Sequence, residues 1–302
     1  MRQKKLWMLA AVATALMMTA CGDSAQKELR AKADQLMEAA HQSKDYGKLL
    51  TMADSLEKTG NLSTVKANYW RGYAYDRQKQ KDMAERYWRA SMEAGENSDD
   101  AEDFVMYAKS VSRLANLLSV RGDYKEALKL AVPTVERLEA LKCDTTSDYV
   151  NLLIYIGCCQ AVTGIQVEES NHGFYRAYKK HLENIKKKHN DASYKDAIAG
   201  LVNVAHYCVK AKKYQEALYY TRYFGELLGE YEMRPDVDAG YIDRQLGRYD
   251  IYKAQAQKGL GMDEEAAETY EAFQETEFSA TPEGLALAKD FLGTLGTTER
   301  SE

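Results

Sequence analysis

Histidines, cysteines and paired carboxylates are the residues that could carry nucleophilic, acid–base or metal chemistry, and their spacing in this chain does not assemble it. The five histidines, His41, His172, His181, His189 and His206, form no H-x-x-x-H or H-E-x-x-H step, the spacing that would set two imidazoles on one helical face for zinc. His206 and Cys208 lie two apart, which in a helix sends them to different faces. A Cys–His nucleophile is therefore not expected, and burial accounts better for Cys208. Apart from Cys21, the cysteines are Cys143, the adjacent Cys158 and Cys159, and Cys208, with no C-x-x-C among them. They read as free thiols, two of them in strongly apolar helical surroundings, with a Cys143 to Cys158 bridge left open. The acid pairs Asp99-Asp100, Glu102-Asp103 and Glu264-Glu265 fall where helices begin, where capping and the helix dipole explain them. No G-x-S-x-G, phosphate loop or glycine-rich nucleotide turn occurs. The expectation is a chain that is not an enzyme, with no catalytic residues, no cofactor and no metal.

One basic run stands out, Lys186-Lys187-Lys188-His189. At a helix C-terminus, with Asn190-Asp191 starting the next helix, it would be stabilised by the helix dipole; contact with a membrane or an anionic ligand is the other reading. Tyrosine is abundant at 22 residues. By spacing, Tyr75, Tyr87, Tyr124, Tyr214 and Tyr270 are expected in the core.

The N-terminus reads as a targeting segment. Arg2, Lys4 and Lys5 precede a near-continuous apolar run over 6–20, shorter than the roughly 18 to 20 residues a membrane-spanning helix needs. It stops at Met18-Thr19-Ala20-Cys21, followed by Gly22-Asp23-Ser24. This resembles the lipobox of bacterial lipoproteins, with Met18 where that motif usually has Leu. The resemblance implies cleavage after 1–20 and lipidation of Cys21, giving a protein held by its acyl chains in the cell envelope. Gly22 stands where an inner-membrane retention signal would place Asp, so the expected location is the outer membrane, facing the periplasm. Removing 1–20 takes away Arg2, Lys4 and Lys5 and no acid, deepening the net charge from −5 to −8. That argues against a nucleic-acid partner.

The elements that must position any site read as helices throughout. Only Pro133, Pro235 and Pro282 interrupt the chain, and apolar residues recur at spacings of three and four. Leu114, Leu117 and Leu118, then Leu128, Ala131, Val135 and Leu138, flank Gly122-Asp123 as helix, tight turn, helix. Ser63 and Thr281-Pro282-Glu283 are helix starts, and Pro235 is expected to open a helix with Asp236 and Asp238 near its N-terminus. No strands are expected. The stretches 25–42 and 46–58 form an early helix pair without a clear alanine mark.

The repeat test is decisive. A small residue recurs twelve positions before an alanine: Gly72 with Ala84, Ala115 with Ala127, Ala205 with Ala217, Ala254 with Ala266. Gly157 fits as a small residue, but Glu169 stands at its partner position. Around these marks, GDYKEAL and KKYQEAL resemble the turn and second-helix start of tetratricopeptide repeats. The resemblance implies an all-α fold of TPR-like antiparallel helical hairpins stacked in a right-handed solenoid. Its repeats, 42 to 49 residues apart, would be longer than that family's by about two helical turns. The expected organisation is a lipoprotein signal peptide over 1–20, an anchor and first helix over 21–44, and a repeat array over 45–302. The final helix, from 282 to 295, would bury Leu285, Leu287, Phe291, Leu292 and Leu295 and lack a second helix, as in a truncated array.

Segments such as ANYWRGYAYDRQKQKDMAERYW and SYKDAIAG further resemble the periplasmic N-terminal sensory regions of bacterial membrane histidine kinases. By carry-over from the repeat family, first-helix positions would line a groove. They comprise Tyr69, Tyr73 and Asp76, then Arg113 and Asn116, then Asn203 and His206, then Tyr252 and Gln255. A mixed aromatic and amide surface of this kind suits a peptide or small polar ligand. The function expected is a noncatalytic, envelope-anchored binding module for a protein, peptide or small polar ligand, in signal sensing. A truncated or stand-alone relative of a kinase sensor region is one alternative. A glycan-uptake helical-repeat lipoprotein is another, disfavoured because only Trp70 and Trp88 remain after the leader.

Overall fold

The computed structural model describes residues 23–293 except 99, 189 and 236. The leader, Cys21, His189, Asp236 and the tail from 294 lie outside the described residues. Those residues contain thirteen α-helices and no strand. The chain divides into two compact units, Met1–Leu117 and Leu118–Glu302.

In the first unit the helices are α1 (Asp23–Gln42), α2 (Tyr46–Lys58), α3 (Thr64–Arg77), α4 (Lys81–Gly95) and most of α5 (Ala101–Arg121). Helix α1 belongs to the core of this unit, where Met37 and Ala40 pack with Leu49 and Ala53 of α2. Ser63 caps α3 by accepting from Lys66 N, and its hydroxyl donates to Asp103. Asp100 accepts from the N–H groups of Glu102 and Asp103 and so caps this helix start; Asp99 lies outside the described residues, and Glu102 and Asp103 accept instead from Lys66 and Ser63.

The second unit holds α6 (Tyr124–Ala140), α7 (Ser147–Thr163), α8 (Gly173–Lys188), α9 (Asp191–Lys210), α10 (Tyr214–Glu232), α11 (Ala239–Gly259), α12 (Asp263–Glu275) and α13 (Pro282–Gly293). Helices pair as hairpins, α7 with α8, α9 with α10 and α11 with α12, and α7, α9 and α11 also touch in succession. The extra repeat length lies largely in the helices, with 20 residues in α9 and 19 in α10.

The hairpins close where the sequence marks fall. Ala84, Ala115, Ala127, Ala205, Ala217, Ala254 and Ala266 are all essentially inaccessible. At Gly72 the approach is so close that a Cβ would lie 2.4 Å from the Trp88 indole. The irregular repeat closes on glycine as well, four positions later than Glu169. A Cβ on Gly173 would meet Leu153 O at 2.2 Å and Gly157 N at 2.3 Å, and the Gly173 N–H donates to the buried Gln160 Oε1. Here two backbones touch, and the chain spends the four added residues on a longer connection. Glu169 is exposed.

Each turn inside a hairpin carries one residue in the left-handed region: Lys44, Lys79, Gly122, Gly164, Lys212 and Gly261. After Lys79, Gly122, Lys212 and Gly261 the following N–H reaches back over the last helical turn, as in Asp123 to Leu118 O at 2.9 Å and Gln80 to Tyr75 O at 2.9 Å. This pairs carbonyls that a helix end otherwise leaves open.

Several expectations change. Pro235 sits in the turn after α10, and α11 opens at Ala239 with Asp238 as its cap, accepting from Gly240 N and Tyr241 N. In α13, Phe291 is buried and Leu287 partly so, but Leu285 and Leu292 are 59% and 48% exposed, because the helix packs on α11 and the Glu277–Ala280 turn with one face only. Tyr75, Tyr87, Tyr124, Tyr214 and Tyr270 are half-buried; the fully buried tyrosine is Tyr231. The four cysteines of the described residues are free thiols, with Cys158, Cys159 and Cys208 buried. Lys186, Lys187 and Lys188 do form the last turn of α8.

His181 is the strained polar group of the second unit. It is 7% exposed, its Nε2 has no hydrogen-bond partner among the described residues, and only the missing Cβ of Gly200 leaves room for it, at 2.3 Å. Burial pushes its pKa down to about 4.

Two predictions follow from these turns and this histidine. Gly122→Ala should lower stability by about 1 kcal/mol, since an L residue there adopts φ +90 at a cost, whereas Lys79→Gly should raise it by up to about 1 kcal/mol. Urea midpoints read both, and unchanged midpoints would remove the turn conformation as a determinant. For His181, the unfolded chain takes up its proton near pH 6.5 and the folded one only near pH 4. Stability from this group therefore falls as pH drops from about 6.5 to about 4, by at most about 3 kcal/mol. Asp250, raised to about 6 by burial, acts with the opposite sign in the same window, so the comparison must be with His181→Gln. That variant should show a shallower acid loss than the parent; parallel curves would contradict the assignment.

Candidate ligand-binding cleft

The first-helix positions separate between the two units. In the first, Tyr73 is the centre of an aromatic cluster on α1 and α3. Its hydroxyl lies 2.9 Å from His41 Nε2, the two rings meet edge-on at 4.8 Å, and Trp70 lies 6.1 Å away. The Arg113 guanidinium stands 5.8 Å from the Tyr73 ring. Asp76 accepts from Lys81 Nζ at 2.5 Å, and Asn116 is half-buried. Tyr69 is 5% exposed, so it supports this surface from below, with the Lys109 ammonium 5.9 Å from its ring.

His41 was considered above only as a possible ligand or base. It stands three residues before the left-handed Lys44, as Asp76 stands three before Lys79. The K44-D45-Y46 turn thus makes the first helix pair a repeat, in which Met37 and Leu49, both fully buried, occupy the small-residue and alanine positions.

In the second unit, α9, α11, α12 and α13 enclose a cleft of about 1110 Å³. His206, Tyr252 and Gln255 line it; Asn203 is exposed and does not. Tyr252 is 5% exposed, its hydroxyl 3.4 Å from His206 Nδ1. Burial, then the nearby Lys210, hold the His206 pKa below its ordinary value, so this imidazole is neutral and available for hydrogen bonding at neutral pH. Gln255 Nε2 donates to Leu287 O at 3.1 Å, tying α13 to α11.

The opposite wall was not legible in the repeat register. Tyr270 of α12 stacks on Phe291 of α13 at 4.5 Å, and Lys258 Nζ lies 5.2 Å from the Phe291 ring. The half-buried Tyr214 fills the space against Gly259, where a Cβ would be 2.4 Å from its ring. Around this aromatic floor, Lys210, Lys212 and Lys258 balance Asp263, Glu271 and Asp290. The lining includes no serine, threonine or cysteine. It offers aromatic faces for apolar groups, one neutral imidazole, the two amides of Gln255 and Gln274, and charges of both signs at the rim.

No helix among the described residues is long and apolar enough to cross a membrane, and no group of three metal-ligating side chains occurs among them.

The sequence matches no family model and no curated protein. Solved structures resemble it only loosely. The pilF structure from Pseudomonas aeruginosa shares 11% identity, covers 88% of this chain and 99% of its own, and superposes with a TM-score of 0.49. PilW, described as a widely conserved type IV pilus biogenesis factor, shares 16% identity over 86% of this chain and 98% of its own, with a TM-score of 0.49. BtubC (BKLC) from P. vanneervenii shares 12% over 93% and 96%, at 0.47. Similarity this distant carries no argument about function.

Proposed function

We propose that this chain is a noncatalytic, lipid-anchored envelope protein that holds a segment of a protein or peptide partner in the cleft of its second unit. The observation that carries this reading is the cleft itself, about 1110 Å³ walled by Tyr252, Tyr270 and Phe291 with balanced rim charge. A volume of this order holds a few side chains of a docked segment, and Tyr and Phe anchors beside exchangeable charges are the composition of interface hot spots. Signal sensing is the role in which such a module would report its partner's presence. The lipobox-like ending at Cys21 supports the anchor, and Gly22 after it favours the outer membrane, facing the periplasm.

The two parts of the proposal are tested separately. Cys21→Ser should abolish acylation, leave the leader uncleaved and change the mass of the N-terminal peptide; an identical mass and unchanged membrane fractionation would rule out the anchor. For the cleft, crosslinking in envelope extracts should capture a partner reproducibly. Lys258→Glu with Leu292→Glu, both changes at solvent-accessible lining positions, should weaken its binding to the purified chain at least about tenfold. A partner that binds the double variant as tightly as the parent would exclude this cleft as the site.

A further inference from the structure

The chain is acidic overall, at −5, yet α8 carries six Lys and Arg residues and a single acid over its 16 positions. Five of the six share one stripe. Arg176, Lys179, Lys180, Lys186 and Lys187 follow steps of three and four with Glu183 among them, which keeps them within about a third of the helix circumference. The opposite side of the helix, through Phe174, Ala177, His181 and Ile185, is buried.

Ion pairing uses part of this charge. Arg176 pairs with Glu139, and Lys180 reaches Asp144 at 2.5 Å and Glu183 at 3.3 Å. Lys180 holds the Asp144 carboxyl below its usual range. These pairs border a recess of about 260 Å³ that Lys179 also lines. Lys179, Lys186 and Lys187 are exposed and have no carboxylate within pairing distance among the described residues. The helix dipole accounts for cations in the last turn. It does not account for Lys179, the seventh residue of the helix, which lies beyond the reach of either end. The connection that leads into α8 exposes Ile165 and Val167, at 47% and 37%.

We propose that this face of α8 rests on an anionic phospholipid surface, with Lys179, Lys186 and Lys187 contacting headgroup phosphates. The inference is independent of the acyl anchor. A row of unpaired lysines on a rigid helix is what an acidic leaflet attracts; on an otherwise acidic protein it also fixes which side faces that leaflet.

The test uses the full chain carrying Cys21→Ser, so that no acyl group is added, and vesicles of phosphatidylcholine alone or mixed with phosphatidylglycerol. The N-terminal apolar run is common to every variant and cancels in the comparison. The parent should sediment preferentially with the anionic vesicles, less so as salt is raised. Lys179→Gln with Lys186→Gln and Lys187→Gln should lower that partition on the order of 100-fold, and the three Lys→Arg changes should preserve it, with circular dichroism unchanged in both. Equal partition of the parent into the two vesicle types would overturn the proposal, as would a glutamine variant that keeps the parent's preference. Binding to polyglutamate without any vesicle preference would also overturn it, in favour of an acidic protein partner.

Discussion

A helical hairpin has to reverse its chain within a few residues without burying an unpaired helix-end carbonyl. In this protein that constraint is met by one residue in the left-handed region at each turn inside a hairpin, whether glycine or lysine. After Lys79, Gly122, Lys212 and Gly261 the N–H that follows reaches back into the last helical turn, and in these hairpins the second helix starts two residues after the left-handed one. Once that start is fixed, the small residue in one helix and the alanine in the next meet without adjustment. The clefts and faces of the molecule are consequences of this register. Tyr73 and His41 in the first unit, and Tyr252 and His206 in the second, all stand at set distances from a left-handed turn residue.

This is why so much of the fold could be read from the residues. The turn motif and the alanine marks located the hairpins, and their small residues are buried. What escaped the sequence was set by tertiary packing. Pro235 has the form of a helix opener, but Asp238 offers a side-chain oxygen to two N–H groups and takes the cap instead. Leu285 and Leu292 follow helical periodicity, yet α13 has a neighbour on only one side. The first helix pair was legible as a pair and not as a repeat, because Met37 and Leu49 fill the crossing that small residues fill elsewhere.

The cleft divides the same way. His206, Tyr252 and Gln255 were visible in the first-helix register, and they form one wall. Tyr270, Phe291 and Lys258 make the other. Nothing in the repeat pattern brings α12 and α13 together around Phe291; the stacking of Tyr270 on Phe291 and the Gln255 to Leu287 hydrogen bond do. Tyr69 shows the converse limit. Its position in the register is right for a groove, but burial makes it support for the surface and not part of it.

The hairpin of α7 and α8 differs from the others in how it is held. Gly157 and Gly173 meet backbone to backbone, and Gln160 caps the start of α8 from across the hairpin. The side-chain ties of the connecting segment lie at its end, where Glu169 accepts from the Tyr219 hydroxyl and His172 Nδ1 accepts from Phe174 N, so the stretch 164–168 takes little part in that closure. Its length is therefore uncoupled from the geometry of the crossing. This is a turn where residues can be gained or lost without shifting a helix, and so a natural place for the sequence to diverge or for a peptide tag to be spliced in.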